Sequence, residues 1–198
     1  MTGQARREQL ISVARGLFAE RGYEATSIEE VAQRARVSKP VVYEHFGGKE
    51  GLYEAVVDRE MQSLLTRVTQ ALVVATHPRT RLEQAAVALL TYIEDEQDGF
   101  RILVRDSPVA GTSGSFASLI GDMATQVEHI LAKEFSKLGY DEEMAPLYSH
   151  ALVGMVALSG QWWLDAKQPS RDVVAAHLVN LAWNGLSHLD HNPRLGRQ

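Results

Sequence analysis

Apolar residues recur at helical spacing along almost the whole chain, and this pattern restricts the fold to the all-α class. The sequence has no strand-like alternation of useful length, no internal repeat and no low-complexity tract. Breakers such as glycine and proline divide the chain into about nine helices. The predicted helices span residues 4–21, 28–35, 38–46, 49–76, 80–97, 99–107, 116–138, 142–167 and 170–189. Residues 108–115 (PVAGTSGS) form the clearest predicted loop.

Composition limits the class of protein further. Hydrophobic residues make up 45% of the 198 positions, enough to fill a sizeable core. Cysteine is absent, which excludes disulfides and thiolate chemistry. The N-terminus lacks the apolar stretch of a signal peptide, and the longest apolar stretch, residues 151–158, is far shorter than the roughly 20 residues that cross a bilayer. We therefore expect a soluble cytoplasmic protein without a membrane partner.

The net charge of −5 at first argues against a nucleic-acid partner, but the charge is unevenly distributed. Residues 1–50 hold eight Lys/Arg and seven Asp/Glu, a balance of +1, so the remainder carries −6. A near-neutral segment can still bind DNA if its cations cluster on one face. Because non-specific affinity comes from phosphate neutralisation, we expect that affinity to be modest.

Three short helices in the first 46 residues have the layout of a helix-turn-helix. Ser27 and Glu30 form a capping box at the start of the second helix, with the hydroxyl accepting from the Glu30 amide and the Glu30 carboxylate reaching back. Ser38 is the predicted N-cap of the third helix, where Pro40 loses no needed hydrogen bond. The first helix can form a small core with Ile28, Val31, Ala32, Val37 and Val42.

The third helix is the predicted recognition helix, because such helices enter the major groove with their N-terminus nearest the bases. Its outward residues at that end are Lys39, Pro40, Val41 and Glu44. Ser38 stands at the positive end of the helix dipole, which favours a nearby phosphate. The donors expected around the rim, suited to phosphate oxygens, are Thr26, Ser27, Tyr43, His45 and Lys49.

This part of the chain strongly resembles the signature of the tetracycline-repressor (TetR) family, which covers about the first 50 residues. The residues that carry the resemblance are Leu17, Phe18, Gly22, Tyr23, Thr26, Ser27, Ile28, Val31, Ala32, Val37, Ser38, Lys39, Pro40, Val42, Tyr43, Glu44, His45, Phe46, Lys49, Glu50 and Leu52. The resemblance implies a homodimer in which each subunit binds half of an imperfect palindromic DNA operator. It also implies a small-molecule effector in the body of the protein that alters the separation of the two DNA-binding heads.

One position departs from the family pattern. The family commonly has glycine after the alanine that ends the second helix, whereas this chain has Arg36. If that residue is left-handed, a non-glycine side chain costs on the order of 1 kcal/mol. We infer either a different turn or a compensating phosphate contact from Arg36.

The predicted domains are a helix-turn-helix domain at 1–48 and an effector-binding and dimerisation domain at 49–198. In the family, the last two long helices meet their twofold mates as a four-helix bundle. The apolar faces predicted here comprise Tyr148, Leu152, Met155, Val156, Ser159 and Trp163, followed by Val174, Leu178, Leu181, Gly185 and Leu189. These helices must also serve the internal core, so the division between core and interface stays open.

Helices between residues 49 and 167 are expected to enclose an effector cavity with apolar walls and a few polar groups. The candidate wall residues are Tyr92, Phe100, Leu103, Phe116, Ile120, Met123, Val127 and Trp162. The candidate polar residues are Arg101, Arg105, His129 and Gln161.

The segments 162–169 and 181–188 resemble the tail of a TetR subgroup that regulates fatty-acid metabolism. Some members of that subgroup sense long-chain acyl-coenzyme A. The resemblance implies a lipophilic effector such as a long-chain acyl-coenzyme A, while aromatic drug-like and other lipophilic ligands remain open. A repressor is the predicted sign of regulation, with an activator of the same fold as the alternative.

An enzyme is the first competing class. The sequence has no phosphate-binding glycine loop, GxSxG elbow or HExxH pair, and no cofactor is implied. His188, Asp190 and His191 could ligate a metal, but they lie beside Pro193 in a predicted frayed end, where a solvated tail is the preferred interpretation.

A helical interaction module without DNA binding is the second alternative. An interaction module of this kind would have no use for Lys39, Tyr43, His45 and Lys49 around one helix.

Overall fold

The computed structural model describes residues 2–74, 77–105 and 116–195. Within these ranges the chain forms nine α-helices and no strand, so the all-α prediction is confirmed. The helices are α1 (Gly3–Ala25), α2 (Ile28–Ala35), α3 (Lys39–Phe46), α4 (Lys49–Val74), α5 (Pro78–Asp95), α6 (Gln97–Val104), α7 (Phe116–Leu138), α8 (Ala145–Ala166) and α9 (Arg171–Leu186). A short 3-10 turn, Glu142–Met144, precedes α8. The predicted loop 108–115 lies outside the described residues.

Local sequence signals explain where α1 begins and where it is interrupted. Thr2 caps α1 by accepting from the Ala5 amide at 3.2 Å. Gly22 interrupts α1 with φ 81° and ψ 174°, a conformation that glycine adopts without steric cost. The predicted stop at Gly22 is therefore present as a break inside the segment Gly3–Ala25.

The described residues form two compact units. The first comprises Met1–Leu64 and Asp95–Leu119. In it α1 packs against α2 and α6, and α2 packs against α3. Its core is built on Phe18, whose ring meets that of Tyr53 edge-on at 5.1 Å. Leu10, Leu17 and Val31 are fully buried in the same unit.

The second unit comprises Leu65–Glu94 and Ile120–Gln198. Phe135 lies in a buried cluster with Leu131 and Ala145, against which Tyr148 packs. A Cβ built on Gly160 of α8 would lie 2.6 Å from Cδ1 of Ile93 on α5, so these two helices cross at a distance that only glycine permits without a shift. The predicted functional boundary after residue 48 stays a prediction.

None of the helices in the described ranges combines the length and apolarity that a bilayer crossing needs.

Candidate nucleic-acid interface and effector cavity

At the N-terminus of α2, one of the two hydrogen bonds of the predicted capping box is present. Ser27 is extended (φ −112°, ψ 152°), and its hydroxyl accepts from the Glu30 amide at 3.2 Å. The Glu30 carboxylate does not reach back as predicted but forms an ion pair with Arg21 at 2.6 Å. Because the Ser27 side chain is exposed, this helix end is accessible from solvent.

The turn between α2 and α3 contains a left-handed residue at the position where the family commonly has glycine. Arg36 has φ 56° and ψ 46°. The Val37 amide donates to the Ala32 carbonyl at 2.9 Å, the long-range bond of a Schellman motif. The Arg36 side chain is exposed and has no partner among the described residues. The turn therefore has the left-handed backbone conformation that favours glycine, but it carries the positively charged side chain of Arg36 at that position.

Helix α3 begins without the predicted side-chain cap. Ser38 has the extended backbone of an N-cap (φ −81°, ψ 153°), but its hydroxyl makes no capping hydrogen bond. Pro40 lies in the first turn, where the missing N–H is not needed. The Ser38 carbonyl accepts from the Val41 amide at 3.1 Å, which closes that turn.

The predicted recognition surface lies on the outside of the first unit. Val42 is the one fully buried residue of α3. Val41 and His45 are half-buried, and the Tyr43 side chain is 53% exposed. The other exposed members of the predicted DNA-binding set on this helix are Lys39, Pro40 and Glu44. Helix α3 thus has the exposed face that a recognition helix requires.

Two lysines of this surface are already held by the protein. The Lys39 ammonium donates to the Glu29 carboxylate of α2, and this hydrogen bond lowers the pKa of Glu29 below its ordinary value. The Lys49 ammonium donates to the Glu24 carbonyl at 3.1 Å and lies 4.4 Å from the centre of the Tyr23 ring. Each ammonium has three donors, so both retain capacity for a phosphate oxygen.

The Tyr23 ring that holds Lys49 stays in its neutral form. Burial, followed by the nearby carboxylates of Glu50, Glu24 and Glu54, raises the pKa of Tyr23 above its ordinary value. A neutral phenol ring attracts a cation through its negative face.

Thr26 requires a correction. Its side chain is 2% exposed, and its hydroxyl donates to the Gly22 carbonyl at 2.8 Å. The hydroxyl therefore satisfies a carbonyl at the break in α1 and is not a donor on the rim. A polar residue after a helix stop can serve either role, so the sequence alone does not separate them.

Two arginines near the N-terminus of α1 lie outside the predicted set of DNA-binding residues. Arg7 is exposed, donates to the His45 carbonyl at 3.1 Å, and lies 4.5 Å from the centre of the Phe46 ring. Arg6 donates to the Gln9 amide oxygen at 2.7 Å. Neither has a carboxylate partner among the described residues, in contrast to Arg21 and Arg34. The doublet Arg6–Arg7, just ahead of the buried face of α1 that begins at Leu10, is the signal that could have identified them.

The second unit contains an apolar cavity of about 210 Å³. Five helices line it: the end of α4, α5, α7, α8 and α9. Its lining includes Leu72, Leu89, Phe135, Val156 and Leu178, with Arg81 and Glu134 as the charged residues. An apolar lining with few polar groups is typical of a small-molecule site.

Of the eleven predicted effector residues whose side chains the structure describes, two, Met123 and Val127, line this cavity. Phe100 and Leu103 belong to the core of the first unit, because α6 packs against α1. Arg105 is in the same unit and donates to the Phe18 carbonyl at 3.1 Å. Arg101 also belongs to that unit.

The other candidates lie elsewhere in the second unit. Tyr92 is fully buried under the Arg67 guanidinium, 5.4 Å from the ring centre. His129 is exposed, and Trp162 is 60% exposed. Ile120 and Gln161 are half-buried and do not line the cavity, and the Phe116 side chain lies outside the described residues.

The exposed apolar residues of α8 lie on a different face from the predicted one. Leu147, Leu158 and Trp162 are 64%, 61% and 60% exposed, whereas Trp163 is 4% exposed. Leu152 and Val156, predicted on the interface face, line the cavity instead. On α9, Leu181 is 63% exposed, as the predicted face requires, while Leu178 lines the cavity and Val174 is buried.

The residues that could have held a metal do not come together. Within the described ranges, no group of three His, Cys, Asp or Glu side chains could hold a metal ion. His188 Nδ1 lies 2.9 Å from the Asn184 carbonyl, and the His191 ring stacks on Tyr140 at 4.2 Å.

The sequence matches two family models. Residues 10–56 match the model "Bacterial regulatory proteins, tetR family", and residues 67–196 match "Tetracyclin repressor-like, C-terminal domain". The chain is 34% identical over 186 residues to the HTH-type transcriptional activator FasR of Mycolicibacterium smegmatis, covering 93% of this chain and 84% of that protein. It is 24% identical over 160 residues to the HTH-type transcriptional regulator HbdR of an Aromatoleum species, covering 81% and 69%.

Solved structures share the fold. A TetR-like transcriptional regulator from Rhodococcus sp. RHA1 superposes with a TM-score of 0.76 at 26% identity, covering 92% of this chain and 96% of that one. The fatty acid degradation regulator FadR from Bacillus halodurans has a TM-score of 0.77 at 15% identity, with coverage of 93% and 97%. These proteins are transcriptional regulators by name. The chain, with its helix-turn-helix and its two matching domains, belongs to the TetR family of DNA-binding transcriptional regulators.

Proposed function

We propose that the protein is a ligand-responsive repressor that binds a palindromic operator as a homodimer through α3. The observation that carries the DNA-binding part of this proposal is the exposure of α3, which buries Val42 alone and leaves Lys39, Tyr43 and Glu44 on the surface. Side chains near the N-terminus of such a helix contact base edges, and flanking cations position the protein on phosphates. Ser27, Arg36 and Lys49 stand around that surface and are the proposed phosphate contacts, with Ser38 at the α3 N-terminus.

The dimer would carry two copies of α3 to successive major grooves, which are spaced about 34–36 Å apart. An effector bound in the second unit that prefers another head spacing would weaken DNA binding in proportion to its differential affinity for the two states. A regulator of chromosomal genes acts where the bacterial chromosome is, so the proposal includes a cytoplasmic location. The proposed regulator acts by binding DNA and effector, without catalysing a reaction.

An activator is the second candidate, and one observation favours it. FasR, 34% identical to this chain, is named a transcriptional activator. An effector that prefers the DNA-bound spacing would make the same fold bind its operator more tightly when loaded. Transcription from a promoter that carries the bound site, measured with and without this protein, distinguishes a repressor from an activator. A repressor lowers the transcription rate, and an activator raises it.

Binding of DNA through α3 is tested with duplexes selected from fragmented bacterial genomic DNA by the wild-type protein. The Lys39→Ala/Tyr43→Ala double variant should lose at least about tenfold in affinity for the selected duplex, since it removes two contacts of this surface. A matched control is Lys137→Ala, which removes an exposed cation that pairs with Glu134 on α7. Retention of sequence-specific binding by the double variant would remove these two residues from the mechanism.

The effector is proposed to be a lipophilic small molecule held in the apolar cavity of the second unit. The volume of about 210 Å³ lies below the roughly 300–1,000 Å³ of most ligand sites, so a long acyl chain would have to widen it. Palmitoyl-coenzyme A is the probe for the acyl class, and a planar aromatic such as naphthalene is the probe for compact ligands. A ligand that binds the folded state raises the melting temperature.

Filling the cavity locates the response. Ala85 is a half-buried residue of the cavity wall, so Ala85→Phe should abolish the melting shift that an active probe causes. Gly121→Ala is the control, since a Cβ there meets nothing within 4 Å. An undiminished shift in Ala85→Phe would place the effector elsewhere.

A further inference from the structure

The last turn of α3 is contacted by a cation from another helix. Arg7 of α1 donates from Nη1 to the His45 carbonyl at 3.1 Å, and its guanidinium carbon lies 4.5 Å from the centre of the Phe46 ring. His45 and Phe46 are the last two residues of α3. The final carbonyls of a helix have no partner inside the helix, and a cation beside them complements the negative end of its dipole.

Helix α3 packs against α2, and its fully buried surface is small. It is eight residues long and buries Val42 alone. Its first residue, Lys39, is joined to Glu29 of α2, and this ion pair is exposed on both sides. The Arg7 contact therefore holds the end of α3 that is opposite to the Lys39 contact.

Arg7 has no carboxylate to hold it elsewhere among the described residues. Its neighbour Arg6 binds the amide oxygen of Gln9 on the same helix at 2.7 Å and does not touch α3. The two arginines thus differ in one respect that matters for DNA binding: only Arg7 contacts the recognition helix.

We propose that Arg7 is a positioning residue for operator binding, which sets the direction of α3 and thereby the placement of Lys39 and Tyr43 in the groove. This proposal rests on the proposed role of α3 in DNA binding. Arg7 acts through the helix and does not bind phosphate itself. A planar guanidinium can stack its face on a ring and donate hydrogen bonds in its own plane at the same time. The ammonium of lysine has no such plane, so it cannot make both contacts with the same geometry.

The experiment compares Arg7→Lys and Arg7→Ala with the control Arg6→Ala, which removes the same charge one residue away. Fluorescence anisotropy measures affinity for the duplex selected by the wild-type protein and for a scrambled duplex of equal composition, across a salt series. We expect both Arg7 variants to lose about tenfold on the selected duplex, to keep the wild-type affinity for the scrambled duplex, and to keep the wild-type salt slope.

A phosphate contact gives the opposite pattern. Arg7→Lys would then bind like wild type, whereas Arg7→Ala would weaken on both duplexes with a salt slope smaller by about 0.9. That result, or unchanged discrimination in both variants, overturns the proposal.

Amide hydrogen exchange without DNA separates this inference from the proposed function. Loss of the Arg7 contact should speed exchange in residues 43–47 of both Arg7 variants and not of Arg6→Ala, because exchange reports local opening. Unchanged exchange there overturns the positioning role. Faster exchange in both Arg7 variants, together with equal binding of the two duplexes by the wild-type protein, would contradict the proposed function of α3 while the Arg7 contact stands.

Discussion

Nε of Arg15 on α1 lies 3.0 Å from Oε1 of Glu60 on α4, and Glu60 is 5% exposed. Nη2 of the same arginine donates to the Glu96 carboxylate at 2.7 Å. One cation thus faces two carboxylates inside the first unit, and it joins the helix that precedes the helix-turn-helix to α4. Removing the cation would take one charged neighbour away from a buried carboxylate, which is costly in a medium of low polarity.

We predict that Arg15→Met lowers the free energy of unfolding by about 2 kcal/mol, less than for a fully enclosed pair because Arg15 is partly exposed. Urea denaturation measures this change. The additional substitution Glu60→Gln should recover most of the loss, since it removes the buried negative charge that Arg15 faces. The control is Arg59→Met, whose pair with Glu8 is exposed and should contribute no more than about 1 kcal/mol. Equal losses at Arg15 and Arg59 would contradict the prediction.

Arg36→Gly should stabilise the protein and weaken operator binding. A non-glycine residue in the left-handed region costs on the order of 1 kcal/mol, so relief of that cost should raise the melting temperature by about 2–4 °C. Calorimetry and anisotropy measure the two effects. Arg36→Lys keeps both the charge and the strained backbone, and should melt and bind like wild type. A destabilised Arg36→Gly protein with unchanged DNA affinity would refute both parts.

The ion pair of Glu29 and Lys39 predicts a pH dependence. Because the Lys39 hydrogen bond lowers the pKa of Glu29 below its ordinary 4.5, its stabilisation is present above that value and is lost as the pH falls through the lowered pKa. Urea titrations from pH 7 to about pH 3 should therefore show wild type more stable than Glu29→Gln at neutral pH, with the difference vanishing in acid. A difference that is independent of pH would mean that Glu29 acts by packing or not at all.

The same substitution should change DNA binding in the other direction. Glu29→Gln removes a negative charge beside α3 and frees the Lys39 ammonium for phosphate, so affinity for a scrambled duplex should rise. The steepness of the salt dependence should increase by about 0.9, the value for one further phosphate contact. Glu83→Gln, which breaks an exposed pair with Arg79 on α5, is the control and should leave both quantities unchanged.

Dimerisation is predicted to use the exposed apolar residues of α8 and α9. Leu158→Glu/Leu181→Glu places charges on this face, where each side chain is more than 60% exposed in one chain, and should give a monomer in sedimentation equilibrium. Val87→Glu on α5 is the matched control, since Val87 is also exposed. A dimer that survives the double substitution would assign the interface to another surface.

The helix-turn-helix was predictable because its signals are local. Ser27 caps α2, Pro40 lies in the first turn of α3, and a glycine pair follows Phe46, so both helices match the predicted ranges to within one residue. Thr26 was misjudged, and Ser38 occupies its predicted N-cap position without a capping hydrogen bond, because a hydroxyl beside a helix end can bind several partners and sequence does not select one.

The effector residues were less predictable, for a different reason. Helical spacing identifies an apolar face but not the helix that will cover it. Phe100 and Leu103 on α6 cover α1 in the first unit, which no pattern within α6 reveals. Helix α8 is apolar around most of its circumference, so spacing alone could not separate the buried Trp163 from the exposed Trp162.

The single buried anchor of α3 bears on how such regulators diverge. With Val42 as the one fully enclosed side chain, most substitutions on this helix remove little packing. Changes at Lys39, Tyr43 or Glu44 should then alter the preferred DNA sequence while the fold persists, since surface substitutions seldom shift stability by more than about 0.5 kcal/mol. Duplicated copies of the gene could acquire new target promoters by a few such replacements, before any change in the helices that surround the cavity.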